Sequence, residues 1–159
     1  MTIVVTHDPD EAMEISDKVA IMSSGKIIQT GSPSEIYQSP KSLAVAQLTS
    51  EGSGLEAEIT NDKIISEFGH WSEKAFADHP VEGKVDIYIR PFTTSLREIS
   101  SGEGVKIIDI RPTGFAQIVS LESKSGHVLS LQIETGQEYT IGQIVKIIPK
   151  PKTWLCFSR

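Results

Sequence analysis

The sequence has little cysteine and no excess of positive charge. Its 159 residues include one cysteine, Cys156, so an internal disulfide and a four-cysteine zinc site are both excluded, and a reducing compartment is expected. The chain has 15 lysines and arginines against 21 aspartates and glutamates, a formal net charge of −6. That sign opposes binding along the phosphates of a duplex, so we expect no nucleic-acid partner.

Long apolar runs are missing as well. The longest uninterrupted runs have four residues, as at positions 19–22, whereas a helix needs roughly 20 to span a bilayer. The basic start and long apolar stretch of a signal peptide are also absent. We therefore expect no direct insertion into a membrane. The 38% hydrophobic residues and 12 glycines are ordinary for a globular chain with one core or two small ones.

The first fifty residues predict alternating strands and helices. Positions 3–5 form a short apolar run, the pattern of a parallel strand buried on both faces. Asp8 then stands as a helix N-cap before Pro9, which suits the first helical position. The further predicted elements are a hairpin of strands 18–22 and 27–31, a helix beginning at 33 after a Ser-Pro start, and a helix over 41–48.

A polar break with two glycines and two serines at positions 50–54 is the best linker candidate. After it the chain is a series of short strands separated by turn residues, as in a small antiparallel barrel or sandwich. The predicted strands cover 55–59, 63–66, 84–89, 104–111, 115–123, 128–134, 143–149 and 154–158. Because Asp86, Tyr88 and Arg90 alternate with apolar residues, we expect one face of the third of these strands to be solvated.

His7 is the leading candidate for a functional residue. It lies just past the carboxyl end of the predicted strand 3–5, where ligands bind in open α/β sheets. Its imidazole could donate to a phosphate oxygen or orient a water. A local hydrogen bond in a loop is the competing interpretation, and position alone does not decide between them.

The first forty residues resemble a known family. Residues 2–13 (TIVVTHDPDEAM), 15–22 (ISDKVAIM), 25–27 (GKI), 29–37 (QTGSPSEIY) and Pro40 are similar to the end of the ATP-binding domain of ABC transporter subunits. The similarity is to binding-protein-dependent importers of sugars, polyamines, inorganic anions or ferric ion. It implies a subunit that binds ATP and Mg²⁺, works with transmembrane permease subunits, and is cytoplasmic and peripheral at the inner face of the membrane.

The resemblance also implies roles for particular residues. His7 corresponds to the switch histidine, which in the family contacts the γ-phosphate of ATP and helps to place the attacking water. Residues 1–50 then correspond to the remnant of the ATP-binding domain. Residues 55–159 resemble the family's OB-like C-terminal extension, which pairs subunits and receives regulators. The matching motifs there are short, namely Ile89-Arg90-Pro91 and residues 142–146 (GQIVK).

The phosphate-binding elements of the family are not in the sequence. It has no Gly-x-x-x-x-Gly-Lys-Ser/Thr loop, whose backbone amides would cradle phosphates, no Leu-Ser-Gly-Gly-Gln signature, and no apolar strand ending in Asp-Glu. We expect that the chain alone neither binds ATP tightly nor hydrolyses it, and that Met1 marks a start after the stretch carrying those elements.

Several other residues could form sites. Arg90 and Arg111, both followed by proline, could bind a small anion or serve as surface charges beside turns. His70 and His79 lie in a polar segment, 69–83, without regular ligand spacing, so we expect a solvated connection and no metal. The tryptophans and phenylalanines are expected as core or interface anchors, not as a stacking platform, at Trp71, Phe76, Trp154 and Phe157.

The sequence thus predicts a mostly β protein with an α/β remnant over 1–50 and an OB-like β domain over 55–159. The leading functional hypothesis is a dimerisation and regulatory module that forms a homodimer. One alternative is a sensor of a small anion or of the transported solute, anchored by Arg90 or Arg111. Nucleic-acid binding by an OB-like surface is a third possibility, which the net charge opposes.

Overall fold

A computed structural model describes residues 2–77, 82–100 and 102–159. It divides into two compact units, Met1–Glu51 and Gly52–Arg159. Strands hold 48% of the residues and helices 15%, which confirms the predicted mostly β class. Each unit is described separately below.

The first unit contains three short helices and one hairpin. In chain order these are α1 (Pro9–Ile15), β1 (Val19–Ser23), β2 (Lys26–Gly31), α2 (Pro33–Gln38) and α3 (Leu43–Thr49). The Asp8 carboxylate caps α1 by accepting from the amides of Asp10 and Glu11, at 2.9 and 3.2 Å. Ser32 and Glu35 form a capping box at the start of α2. The capping residues read from the sequence therefore begin these helices as predicted.

A small core and one buried amide hold this unit together. Val19, Ile36 and Val45 form its buried cluster. Gln29, 6% exposed, donates from Nε2 to the carbonyl of Ser39 at 3.1 Å and accepts from the amide of Lys41 at 2.7 Å. The amide side chain of β2 thus fixes the connection between α2 and α3.

The predicted strand at positions 3–5 is wrong. Residues 2–6 have no regular secondary structure, and Ile3 and Val5 are 77% and 92% exposed. A strand buried on both faces needs hydrogen-bonded neighbours and two covering layers. Among the described residues of this unit the only sheet is the β1–β2 hairpin, and neither of its strands pairs with residues 2–6.

The second unit packs two five-stranded antiparallel sheets. Its strands are β3 (Ser53–Thr60), β4 (Lys63–Ser66), β5 (Gly69–Ser72), β6 (Gly83–Ile89), β7 (Thr94–Glu98), β8 (Val105–Pro112), β9 (Ala116–Glu122), β10 (Val128–Glu134), β11 (Ile144–Pro149) and β12 (Leu155–Ser158). Sheet I has the order β12-β6-β3-β4-β5, and sheet II has the order β10-β9-β8-β11-β7. Neither order closes on itself among the described strands, so of the predicted barrel and sandwich the second unit forms a sandwich, which is consistent with the OB-like prediction.

Two tryptophans connect the sheets through the core. Trp154, fully buried, donates from Nε1 to the hydroxyl of Thr94 on β7 at 3.0 Å. Trp71 on β5 donates from Nε1 to the carbonyl of Ile147 on β11 at 2.7 Å. The two indoles meet edge to face, with centroids 4.9 Å apart. Because each polar indole edge has a partner, large rings are buried without an unsatisfied donor.

The solvated connection predicted for 69–83 is wrong over its described part. Gly69–Ser72 forms β5, and Glu73–Ala75 forms a 3-10 turn. Ala75 and Phe76 then enter the core at 2% and 3% exposure. The stretch can be polar because β5 is a short strand at the edge of the sheet, and the packing of one side chain, Trp71, against the core is enough to hold it there. Residues 78–81 lie outside the described part of the chain.

The solvated face predicted for β6 is also wrong. Tyr88 and Arg90 are only 3% and 8% exposed. The strand lies in the interior of sheet I, between β12 and β3. The alternation of polar and apolar residues along β6 therefore does not correspond to alternating exposed and buried side chains. The Tyr88 ring lies against Gly52, where an added Cβ would come within 2.7 Å of the ring and of the Ile89 carbonyl.

The described helices are short. The longest, α1 and α3, have seven residues each, and none of the described helices has the length and apolar character needed to cross a bilayer.

Candidate functional sites

His7 lies in the turn before α1. The hydroxyl of its neighbour Thr6 accepts a hydrogen bond from the amide of Asp8 at 3.0 Å, and Asp8 caps the helix as described. The imidazole is exposed. Close to it in sequence are Asp8, Asp10 and Glu11, which make this turn acidic. The structure therefore shows an accessible histidine held next to a capped helix start.

The residues around His7 do not by themselves fit ATP and Mg²⁺. Phosphates bind at helix N-termini through unpaired backbone amides, but here the amides of Asp10 and Glu11 already donate to the Asp8 carboxylate. The neighbouring carboxylates would repel a triphosphate, and the sequence has no glycine-rich phosphate loop. No step of nucleotide hydrolysis is assigned to this chain alone.

Arg90 and Arg111 occupy different sheets. Arg90 follows β6 of sheet I and is 8% exposed, and its carbonyl accepts from the Thr93 hydroxyl at 2.6 Å. Arg111 lies in β8 of sheet II, where its Nε is 3.1 Å from a carboxylate oxygen of Asp109. The side chains of Arg111 and Asp109 are both about half exposed or more. The exposed arginine thus already has an anionic partner, and the other is buried.

The remaining sequence candidates are distributed through the fold. His70 is exposed on β5, and His79 lies outside the described residues. Within the ranges that the structure describes, no group of three His, Cys, Asp or Glu side chains is arranged to hold a metal ion. Phe76 and Trp154 are core residues as predicted. Cys156 is half-buried, and desolvation, followed by the nearby Asp86 charge, raises the pKa of its thiol to about 11.

The most concentrated polar cluster was not predicted. It consists of Glu67, Ser123, Ser125 and His127, and is called the Glu67 cluster below. One Glu67 oxygen, Oε2, accepts from His127 Nδ1 at 2.7 Å, from the Ser123 hydroxyl at 3.0 Å and from the Ser125 hydroxyl. Glu67 follows β4 in sheet I, and the other three residues form the turn between β9 and β10 in sheet II. The cluster therefore joins the two sheets.

The Glu67 cluster has the residue types of a Ser-His-Glu triad but not its geometry. In such a triad the carboxylate holds one imidazole nitrogen and the serine hydroxyl meets the other. Here the Ser125 hydroxyl lies 3.4 Å from Nδ1, the same nitrogen that contacts Glu67. No nitrogen is placed to take a proton from serine while the carboxylate orients the ring. The arrangement is an ion-pair and hydrogen-bond network, not a nucleophilic site.

The charge states in this cluster support each other. Hydrogen bonds from Ser125 and His127 lower the pKa of the Glu67 carboxyl. The hydrogen bond and charge of Glu67 raise the pKa of the His127 imidazole. No local spacing in the sequence indicates this site, because Glu67 and His127 are 60 positions apart.

A second network lies around the final residue. Arg159 Nε donates to Asp86 of β6 at 2.8 Å, and its terminal nitrogen pairs with Glu56 of β3. The hydrogen bond from Arg159 lowers the pKa of Glu56, and the same bond raises the pKa of Arg159. This network connects β3, β6 and the end of β12 on sheet I.

Comparison with known proteins identifies the relatives of the chain. It is 32% identical over 116 residues to the sulfate/thiosulfate import ATP-binding protein CysA of Yersinia pseudotuberculosis, covering 71% of this chain and 31% of the relative. It is 31% identical over 157 residues to CysA of Brucella melitensis, covering 98% of this chain and 43% of the relative. The chain belongs to the family of ABC importer ATP-binding subunits.

A relative with a different named solute matches as well. The spermidine/putrescine import ATP-binding protein PotA of Borreliella afzelii is 34% identical over 102 residues, covering 64% of this chain and 29% of the relative. The chain spans less than half the length of these curated relatives. No protein-family model matches it. The resemblance carried by the residues around His7 is thus confirmed at the level of the importer subunits.

Proposed function

We propose that this chain supplies the dimerisation and regulatory part of an ABC importer ATP-binding subunit. The observation that carries the proposal is that residues 52–159 form a unit with its own two-sheet core within a chain related to such subunits but without their phosphate loop. A part with its own core can hold two subunits together while other parts move. In a complete importer, the partners would be a second subunit and the transmembrane permease subunits, at the inner face of the membrane.

Pairing of these units would have a clear physical effect. Two ATP-binding subunits held by a separate contact meet again at high effective concentration after each opening. The second unit exposes large apolar side chains that a contact could cover, at Phe115, Val128, Ile141 and Ile144. Their exposure supports the proposal of a homodimer.

Pairing can be tested with two differently tagged copies of the 159-residue chain. When both copies are expressed together, purification through one tag is expected to retain a substantial share of the other tag, because copies that pair at random form mixed dimers. Mixing the copies only after separate purification measures exchange between dimers. Failure of the second tag to co-purify from co-expressed material, with both copies folded, would overturn the homodimer.

We also propose a role for His7 in a complete subunit. The family resemblance supports His7 as the residue that faces the γ-phosphate when a full nucleotide-binding core is present, with ATP and Mg²⁺ as its cofactors. A chimera in which this chain replaces the matching part of Brucella melitensis CysA tests it. His7→Ala should lower ATP turnover about a hundredfold or more, the usual effect of removing one positioned donor. The exposed His70→Ala is the matched control, and equal turnover by the two variants would contradict the role.

A second candidate is a sensor of small oxyanions. It is favoured by the exposed Arg111 guanidinium and by relatives named for sulfate and thiosulfate import. Another relative is named for polyamine import, so the sensed ion is defined here by its chemistry and not by a transported solute. Titration calorimetry with sulfate, molybdate and phosphate should give heat that is lost in Arg111→Gln. No heat with any of them leaves pairing as the proposed role, and Arg90 then remains a buried structural residue.

A further inference from the structure

The turn between β4 and β5 is tied to the turn between β9 and β10 through a single carboxylate oxygen. Three donors, the His127 imidazole and the hydroxyls of Ser123 and Ser125, converge on Glu67 Oε2. Three donors on one oxygen favour the ionised carboxylate. The connection between the two turns, called the tie below, therefore depends on the charge of the Glu67 carboxylate as well as on the geometry of the hydrogen bonds.

Each turn is anchored independently of this tie. Phe68, next to Glu67, lies in the core at 7% exposure, and its amide donates to the Ser66 hydroxyl at 3.0 Å. In the other turn the Ser123 amide donates to the His127 carbonyl at 2.9 Å and the His127 amide donates to the Ser123 hydroxyl at 3.1 Å. Loss of the carboxylate–imidazole contact can thus free the turns from each other without unfolding either sheet.

The charged groups that face the tie come from three elements. Glu67 follows β4 and His127 precedes β10, and the Glu56 carboxylate of β3 interacts electrostatically with both of them. Glu56 is itself paired with Arg159 and interacts electrostatically with Lys84, so its negative charge is partly compensated. The imidazole is 71% exposed and the carboxylate 36%, which lets protons reach both.

We infer that Glu67 and His127 form a pH-dependent latch between sheet I and sheet II. The latch is closed while Glu67 is ionised and His127 is protonated. It loosens as pH rises and the imidazole loses its charge, because the neutral ring retains at most a hydrogen bond. It also loosens in acid when the carboxylate takes up a proton. The latch lies within the second unit and requires neither pairing of subunits nor nucleotide.

The direction follows from the two pKa shifts. The raised pKa of His127 means that its contribution is complete below about pH 6.5, the ordinary value, and is lost as pH rises through the folded-state value. The lowered pKa of Glu67 means that its contribution is complete above about pH 4.3 and is lost as pH falls through the folded-state value. The latch is tightest between these limits.

Amide hydrogen exchange of the full chain, measured by NMR at pH 6 and pH 8.5 and corrected for intrinsic rates, tests the latch. Protection of the Phe68 and His127 amides should fall about threefold at the higher pH, the size expected for an exposed ion pair. Glu67→Gln and His127→Gln should each abolish this pH dependence. The exposed His70→Gln on β5 should leave it unchanged.

The core amide of Val119 on β9 separates local from global effects. If protection at Phe68 and His127 changes with pH while Val119 stays constant, the latch is supported. Equal protection at both pH values, an equal change at Val119, or a pH dependence that survives in Glu67→Gln would each overturn it. If Glu67→Gln does not fold, His127→Gln, at a mostly exposed position in a turn, gives the same comparison.

Discussion

At the scale of single residues, close contacts between atoms explain why glycine is needed at a position that the sequence alone does not single out. Gly52 stands at the start of the second unit, and an added Cβ there would come within 2.7 Å of the Tyr88 ring and the Ile89 carbonyl. That distance is shorter than a real contact, and one of the obstacles is backbone. Gly54, two residues on, would place its Cβ at 3.9 Å from the Ile87 carbonyl, an ordinary contact.

Gly52→Ala should therefore destabilise the protein by about 1–3 kcal/mol, the usual effect of overpacking. Gly54→Ala is the matched control and should change stability by much less. Urea unfolding followed by tryptophan fluorescence measures both. Equal midpoints for the two variants would contradict the close packing of Tyr88 on Gly52.

At the scale of elements, the hydrogen bond from Trp71 fastens the edge strand β5 to the opposite sheet. The indole donates to the Ile147 carbonyl at 2.7 Å, and phenylalanine would keep much of the ring but remove the donor. A carbonyl left without its partner carries a desolvation penalty.

Trp71→Phe should lower the free energy of unfolding by about 1–3 kcal/mol. His70→Ala, on the same strand but exposed, should leave it nearly unchanged. Thermal unfolding by circular dichroism gives the comparison. A melting temperature unaffected by Trp71→Phe would show that the interior bond to Ile147 contributes little.

Sequence patterns predicted elements wherever the deciding interaction is local. Alternation gave β10 with the bounds found in the structure, and capping residues gave the start of α2. Strand β7 was missed because Thr94 and Leu96 are its only buried residues. The apolar run at 3–5 predicts a strand that does not form, because hydrophobicity carries no information on whether a neighbouring strand is present.

Long-range contacts explain what the sequence could not show of the sites. The Glu67 cluster brings together side chains separated by 56 to 60 positions, and no local spacing encodes such a meeting. Of the two arginines that the sequence offers for an anion site, Arg90 is buried just after β6 and Arg111 is paired with Asp109. His7 was located by a motif, and its role remains a prediction.

At the scale of the whole molecule, the chain combines membership of the importer family with a folded unit of its own. It is related to ABC importer ATP-binding subunits, and it contains a two-sheet unit with a core of its own but no phosphate loop. The role proposed for this chain is to bring subunits together. A chain with a net charge of −6 must overcome its own repulsion to do so, and moderate salt should therefore favour association.

Sedimentation equilibrium of the 159-residue chain over a range of micromolar concentrations measures this association. A homodimer predicts a mass of twice 17.4 kDa, which moves toward the single-chain value only on dilution. A mass of one chain at every concentration, in moderate as well as low salt, would contradict it.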